Sequence, residues 1–490
     1  MPALADKSTA KGVPTHRLIG LVGGPALALL MTVLPPPEGL SADGWRIAAV
    51  GVLMAVWWMT EAAPLAVTAL LPLVLFPLGG LRDLEATAAS YANPLIFLFL
   101  GGFLLARAVQ VWGVDRRIAL TVLRRTGTRP DRVIAGIMVV TAFLSMWVSN
   151  TATAMLMLPI GQSIVAAQAG EAGDRHDDYA AALMLAIAYA ATIGGMGTLI
   201  GTPPNALFAA FMLDSYGIEI GFAQWMLVGV PLVLVLLPLA WLVLAHVAFR
   251  LPSRSPQTSD GVVEQAVLRS GPLSRGAAVV VGVLVLAATG WLSRPLLVDL
   301  WPGLALSDAG IAIACALALF VLPVDPGRGR FALHWDEAAT IRWDVLILFG
   351  GGLALAGAIG GSDLAPWLGA RLAALSDWPV VALLLAIGVI IVYVGELASN
   401  TAMAAVFLPI AGATAVAIGE PALSLALPVA LFATLGFMLP VATPPNAIVF
   451  GTGALRIGQM LRAGAILDVV GILVVIAIVL AIGEYVFAFS

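Results

Sequence analysis

Two stretches of the chain set the same polar residues into an apolar run. Residues 147–160 read WVSNTATAMLMLPI and residues 397–410 read LASNTAMAAVFLPI. Their Ser-Asn-Thr triplets begin at Ser149 and Ser399, 250 positions apart. A second pair follows, GTPPNA at 201–206 and ATPPNA at 442–447, offset by 241. A helix that starts at a Ser-Asn-Thr tip presents unpaired N–H groups with partial positive charge, which favours an anion. Asn adds a donor and an acceptor, and Thr adds a hydroxyl. The two prolines of Thr-Pro-Pro-Asn remove backbone donors and free the carbonyls of the preceding turn. Such carbonyls and hydroxyls are hard oxygen ligands suited to a small cation. Singly, the first motif is equally well a helix cap and the second a proline kink; a matched pair of each is poorly explained that way. No Lys or Arg lies in any of the four motifs. Anion charge must then be met by helix ends, amides, hydroxyls and co-bound cations, so strong cation coupling is expected.

The elements that hold these motifs follow from composition. The chain has 490 residues, 61% hydrophobic and 11% charged, against about 25% charged in a soluble protein. This predicts an all-α polytopic membrane protein. A span needs about 20 apolar residues. Eleven stretches qualify, near 17–34, 44–63, 64–80, 93–111, 179–213, 222–249, 276–293, 306–324, 343–361, 422–455 and 463–488. The regions flanking the triplets, 134–148 with 152–168 and 379–398 with 402–418, are half-length pieces. At 1.5 Å per residue most reach about 22–25 Å, short of a ~30 Å core. They are expected to form two re-entrant hairpins, tolerated at membrane depth only where buried in protein or lining a cavity.

Charge location tests this layout. With the N-terminus inside, eleven crossings and both hairpins returning to their starting side, 20 of the 24 Lys and Arg fall inside. Only Arg46, Arg82, Arg294 and Arg371 fall outside. This matches the preference of basic residues for cytoplasmic loops. The basic segment 113–128 is expected to lie on the cytoplasmic surface. The layout puts five crossings between the triplets, so the two halves have opposite orientation. Gly101-Gly102 and Gly351-Gly352 extend the 250-residue repeat. Inverted repeats with broken helices are the mark of secondary transporters, whose site lies where the repeats meet.

The expected organisation is scaffold helices over 1–92, a first core over 93–249 with hairpin 134–168 and broken helix 179–213, and a linker with scaffold helices over 250–342. A second core covers 343–455, with hairpin 379–418 and broken helix 422–455, and a C-terminal helix covers 456–490. Other residues carry less. Glu61 reads as a functional carboxylate or as part of an interfacial anchor with neighbouring Trp residues. Glu396 is an intramembrane carboxylate, hence a functional candidate or a partner of nearby backbone. The single Cys315 excludes an internal disulfide, and the four histidines show no metal-binding spacing. No enzyme constellation is present, and nothing points to nucleic acid. A cation/proton antiporter would want more intramembrane carboxylates than Glu396.

On its paired Ser-Asn-Thr and Thr-Pro-Pro-Asn motifs, the chain from about Trp57 to Gly453 resembles the divalent anion/sodium symporter family of dicarboxylate, citrate and sulfate carriers. The resemblance implies a homodimer in the inner (plasma) membrane, with its N-terminus cytoplasmic, working by an elevator mechanism. It implies a first sodium site at Ser145, Ser149, Asn150 and Gly201. It implies substrate contacts from Asn150, Thr151, Thr202, Asn400, Thr401, Thr443 and Pro444. A second sodium site would use Ala398, Asn400 and Ala442, with a threonine hydroxyl at the position held here by Gly395. The repeat shows the same gap, because Ser145 aligns with Gly395. The expected function is sodium-coupled carriage of di- or tricarboxylates. Alternatives are a sodium-independent dicarboxylate exchanger, which Gly395 favours, and a sulfate carrier. The sulfate branch often carries a large soluble insertion that this chain lacks.

Overall fold

A computed structural model describes residues 14–127, 129–166, 174–252, 272–301, 303–372 and 377–487. Lys7, Lys11, Arg254, Arg269 and most of the polar stretch at 251–275 lie outside them. The described chain is helical except for a two-strand antiparallel ribbon, Pro323–Asp325 with Arg330–Phe331. Trp112 Nε1–H ties its end by donating to Ala332 O at 2.7 Å.

Among the described residues, eight helices are long and apolar enough to cross a membrane. Seven coincide with expected spans, and the eighth, Asn400–Ala417, is a hairpin arm. Four expected spans depart from this. Leu65–Leu78, Asp308–Val321 and Ala422–Phe432 are shorter apolar helices, and Ala42–Thr60 carries Asp43 and Arg46 in its first turns. The first two helices, Thr15–Val33 and Ala42–Thr60, run antiparallel, since Arg17 near the start of one meets Glu61 at the end of the other at 3.1 Å. Glu61 stops its helix in the left-handed region, at φ 46°. At the other end Asp363 accepts Ser41 Oγ–H and N–H, both at 2.7 Å. Those two bonds hold the Asp363 carboxyl below the usual carboxylate range.

The repeat is visible in packing. A Cβ on Gly101 would strike the Ala312 backbone at 2.6 Å, and one on Gly351 would strike the Ala69 backbone. Both glycines thus allow one helix to cross a shorter one at backbone distance. The basic helix Val114–Leu123 buries Val114, Asp115, Ala119, Leu120 and Leu123 and exposes Arg116, as expected of an amphipathic surface helix.

Each triplet sits between two helices. Pro130–Ser145 and Asn150–Ala166 flank the turn 146–149; Val380–Gly395 and Asn400–Ala417 flank the turn 396–399. The first arm of the first hairpin begins four residues earlier than hydropathy implied, because Pro130 occupies its first turn and fits there without losing a bond. In both hairpins the asparagine is the first residue of the second arm. The Thr-Pro-Pro-Asn helices, Pro203–Tyr216 and Pro444–Phe450, each follow an unwound segment, 196–202 and 433–443. Ahead of the first segment runs Asp174–Gly195, whose candidate span, Asp177–Gly195, is 94% buried.

Candidate functional site

At the first tip, the Ser145 hydroxyl donates to Ala191 O at 2.6 Å and lies 2.8 Å from the Asn150 amide. The amide can face these groups in two ways. With nitrogen inward it donates to Ser145 Oγ at 2.8 Å, Gly201 O at 3.0 Å and Ala191 O at 3.2 Å. With oxygen inward, four oxygens from Ser145, Asn150, Ala191 and Gly201 converge with too few hydrogens to separate them. A cation at their centre would relieve that arrangement, whereas with nitrogen inward the groups satisfy one another by hydrogen bonds. The set is neutral and hard, and among the described residues no cluster of three His, Cys, Asp or Glu competes for a metal. The donors therefore fit a small monovalent ion. Ser149, one position before the helix, accepts the Ala152 N–H at 3.4 Å.

The second tip is built differently. Asn400 Nδ2–H donates to Thr434 O at 3.2 Å, and its buried Oδ1 has no partner among the described residues. Gly395 brings no hydroxyl. Glu396 follows it, buried, with Oε1 accepting the Met438 N–H at 2.8 Å and Oε2 the Leu439 N–H at 2.7 Å. Asp468 accepts the Phe437 N–H at 3.2 Å, and the Tyr189 O–H donates to Phe437 O at 2.7 Å. Glu396 thus serves neighbouring backbone, one of the two roles read for it in the sequence.

The Thr-Pro-Pro-Asn asparagines face away from the cavity and clamp the unwound backbone. Asn205 Nδ2 donates to Gly195 O at 3.1 Å and Thr198 O at 2.8 Å. Asn446 Nδ2 donates to Gly436 O and Leu439 O, both at 3.0 Å. The offsets, ten and seven residues back, are identical. The carbonyls at 195, 198, 436 and 439 are taken by these asparagines, whereas Gly201 O is directed at Asn150.

All four motifs meet at one cavity of about 410 Å³. Ser149, Asn150, Thr151, Gly201 and Thr202 line it from the first half, and Asn400, Thr401, Ala442, Thr443 and Pro444 from the second. Ser145, Gly395 and Ala398 do not line it and are buried behind the tips. Three charged residues outside the motifs also line it: Arg342, Asp344 and Glu61. Arg342 and Asp344 fork together at 2.8 Å and 2.8 Å. The one signal in the sequence was a charged triplet, Arg-Trp-Asp, directly before an apolar span. A larger cavity of about 490 Å³ is mostly apolar and shares no lining residue with these motifs.

Such a cavity offers a doubly charged anion several hydroxyls and amides, two helix starts, and cation positions behind the tips. Comparison with known proteins agrees with this reading. The sodium:sulfate symporter transmembrane region family matches residues 16–489. The sodium-dependent dicarboxylate transporter SdcS of Staphylococcus saprophyticus is 39% identical over 483 residues, covering 97% of this chain and 93% of that protein. SdcS of Staphylococcus aureus is 40% identical over 476 residues, covering 96% and 92%. Among solved structures, the YdaH transporter of Alcanivorax borkumensis shares the fold with a TM-score of 0.58 at 14% identity, over 97% of this chain and 100% of that one. MtrF of Neisseria gonorrhoeae does so with a TM-score of 0.57 at 13% identity, over 96% and 95%. The chain is a multi-pass membrane transporter and belongs to the sodium:sulfate symporter family.

Proposed function

We propose that this protein carries dicarboxylates across the plasma membrane together with sodium. The observation that carries the reading is the single cavity lined by both Ser-Asn-Thr tips and both Thr-Pro-Pro-Asn helices. The named activity of the SdcS relatives, sodium-dependent dicarboxylate transport, supports it. One sodium binds at Ser145, Ser149, Asn150 and Gly201, where the Asn150 amide, turned with its oxygen inward, joins the oxygens of Ser145, Ala191 and Gly201. The substrate binds Asn150, Thr151, Thr202, Asn400, Thr401, Thr443 and Pro444. A second, weaker sodium position uses Ala398, Asn400, Ala442 and the carbonyl of Gly395. Sodium here is a co-substrate that neutralises the anion inside a cavity with few fixed charges.

In this reading the cores are 93–249 and 343–455, related as inverted repeats. The hairpins 134–168 and 379–418 are re-entrant, and the broken helices 179–213 and 422–455 complete the moving body. That body shifts against scaffold helices in 1–92, 250–342 and 456–490 in a homodimer. The bias of basic residues supports a cytoplasmic N-terminus and, in this reading, puts Arg342 on the same side.

A second reading is sodium-independent exchange of dicarboxylates, favoured by the missing hydroxyl at Gly395. Uptake of labelled succinate into proteoliposomes separates the two. A requirement for a sodium gradient, with no need for internal dicarboxylate, supports symport. Uptake that ignores sodium and needs internal dicarboxylate supports exchange. No uptake under either condition rejects both.

A further inference from the structure

The site cavity continues past the first tip. A second cavity of about 350 Å³ shares Phe103, Ser149, Thr151 and Arg342 with it and adds Arg107 and Gln110. Arg342 therefore stands where the two meet. Its guanidinium is forked on Asp344, but both side chains are about half exposed, at 49% and 53%. An ion pair that wet is weak, so another carboxylate can replace Asp344 at little cost. Among the described residues Arg107 is held by neutral acceptors, with Nε on Glu337 O at 3.2 Å and Nη1 on Gln110 Oε1 at 3.3 Å. The charged side chains lining the smaller cavity are thus two guanidiniums and no carboxylate. A planar guanidinium fork matches a carboxylate bidentately, which an ammonium does not.

We infer that this vestibule is a second anion station, in which Arg342 exchanges Asp344 for one carboxylate of the substrate while Arg107, which lines the same cavity, adds a second guanidinium. The inference rests on the dicarboxylate reading above and adds a route to it. Ser149 and Thr151 belong to both cavities, so one carboxylate can remain at the tip while the other reaches Arg342. A monocarboxylate can engage only one of the two. The station thus favours doubly charged substrates on the inner side without adding positive charge to the buried site.

The test compares the two faces of the membrane. Half-saturating succinate is measured outside with intact cells and inside with inside-out membrane vesicles. Arg342→Gln is expected to raise the inside-to-outside ratio about tenfold, the effect of one lost charge-assisted fork. Arg342→Lys recovers part of this, and Arg107→Gln raises the ratio about threefold. Asp344→Asn shifts it the other way and slows release. Size-exclusion profiles of the purified variants report folding, and Arg107→Gln and Asp344→Asn decide the matter if Arg342→Gln does not assemble. Ratios within about twofold of wild type in all variants overturn the station and leave the dicarboxylate reading standing. A wild type that carries no succinate from either side overturns both.

Discussion

At the first hairpin tip the asparagine is enclosed: the Asn150 amide meets Ser145 Oγ, Ala191 O and Gly201 O. At the second, Asn400 has one carbonyl, Thr434 O, and a buried oxygen with no partner among the described residues. The contrast reverses one layer deeper. The first unwound segment is held by neutral groups, with the Thr198 hydroxyl on Met146 O and Trp225 Nε1 on Met196 O at 2.9 Å. The second is held by carboxylates, Glu396 on the N–H groups of 438 and 439 and Asp468 on that of 437. Glu396 occupies the position that Met146 holds in the first half. The two halves therefore share geometry but not chemistry. The first puts its oxygens where a cation would sit, whereas the second spends its acidic oxygens on rigidity and leaves a hydroxyl out.

Removing either tip amide should have the largest effect. Asn150→Ala and Asn400→Ala are each expected to abolish succinate uptake while leaving expression and assembly intact. Thermal melts should then divide them. Sodium should cease to stabilise the Asn150→Ala protein, and should still stabilise Asn400→Ala through the first site. Equal loss of sodium stabilisation in both would erase the asymmetry argued here.

The deeper layer should report as stability. Asn205→Ala and Asn446→Ala each strand two buried carbonyls and should cost about 1–3 kcal/mol apiece. Because their bonds are matched, their melting shifts should match too. Glu396→Gln replaces one acceptor with an amide N that faces an N–H, so it should cost a similar amount. Its counterpart Met146→Leu should cost under about 1.5 kcal/mol, since that swap conserves volume. Comparable melting shifts in Glu396→Gln and Met146→Leu would show that the carboxylate is not what holds the second segment.

How much of this was legible beforehand depended on contrast with the background. Polar triplets in a chain 61% hydrophobic stand out, and a fixed offset of 250 makes two weak signals one strong one. The hairpins, the breaks and ten of the cavity-lining residues followed from that. Asn205 and Asn446 were noticed, but their direction was not, because a motif does not say which way its amide points. Arg342 and Asp344 carried no repeat signal, since they precede the second core in a segment with no counterpart motif. The partnership of Glu396 with residues 438 and 439 spans more than forty positions, which periodicity cannot reach. Where an apolar stretch breaks, as in Leu65–Leu78, its helices are shorter than the sequence pattern implied.

Moving the hydroxyl between halves tests the comparison most directly. Ser145→Gly gives the first tip the second tip's composition. It should raise the sodium concentration for half-maximal uptake about tenfold, the worth of one lost oxygen contact. Gly395→Thr is the reciprocal change and should have the smallest effect. Space permits it, because a Cβ at Gly395 would find only Met403 Cγ, at 3.7 Å. Gly395 ends the helix Val380–Gly395 without a positive φ. A β-carbon there also restricts the unfolded chain, worth about 0.4–1 kcal/mol. That gain appears equally with Gly395→Val, which has the same shape and no hydroxyl. The difference between the two variants therefore isolates the oxygen. Gly395→Thr should lower the half-maximal sodium concentration about two- to threefold or steepen its dependence, and Gly395→Val should do neither. A wild type that already depends steeply on several sodium ions would mean that another group, such as the free Asn400 Oδ1, supplies the missing contact. A wild type that ignores sodium and exchanges dicarboxylates would make Gly395 a mark of that exchange, and Gly395→Thr alone would not restore coupling.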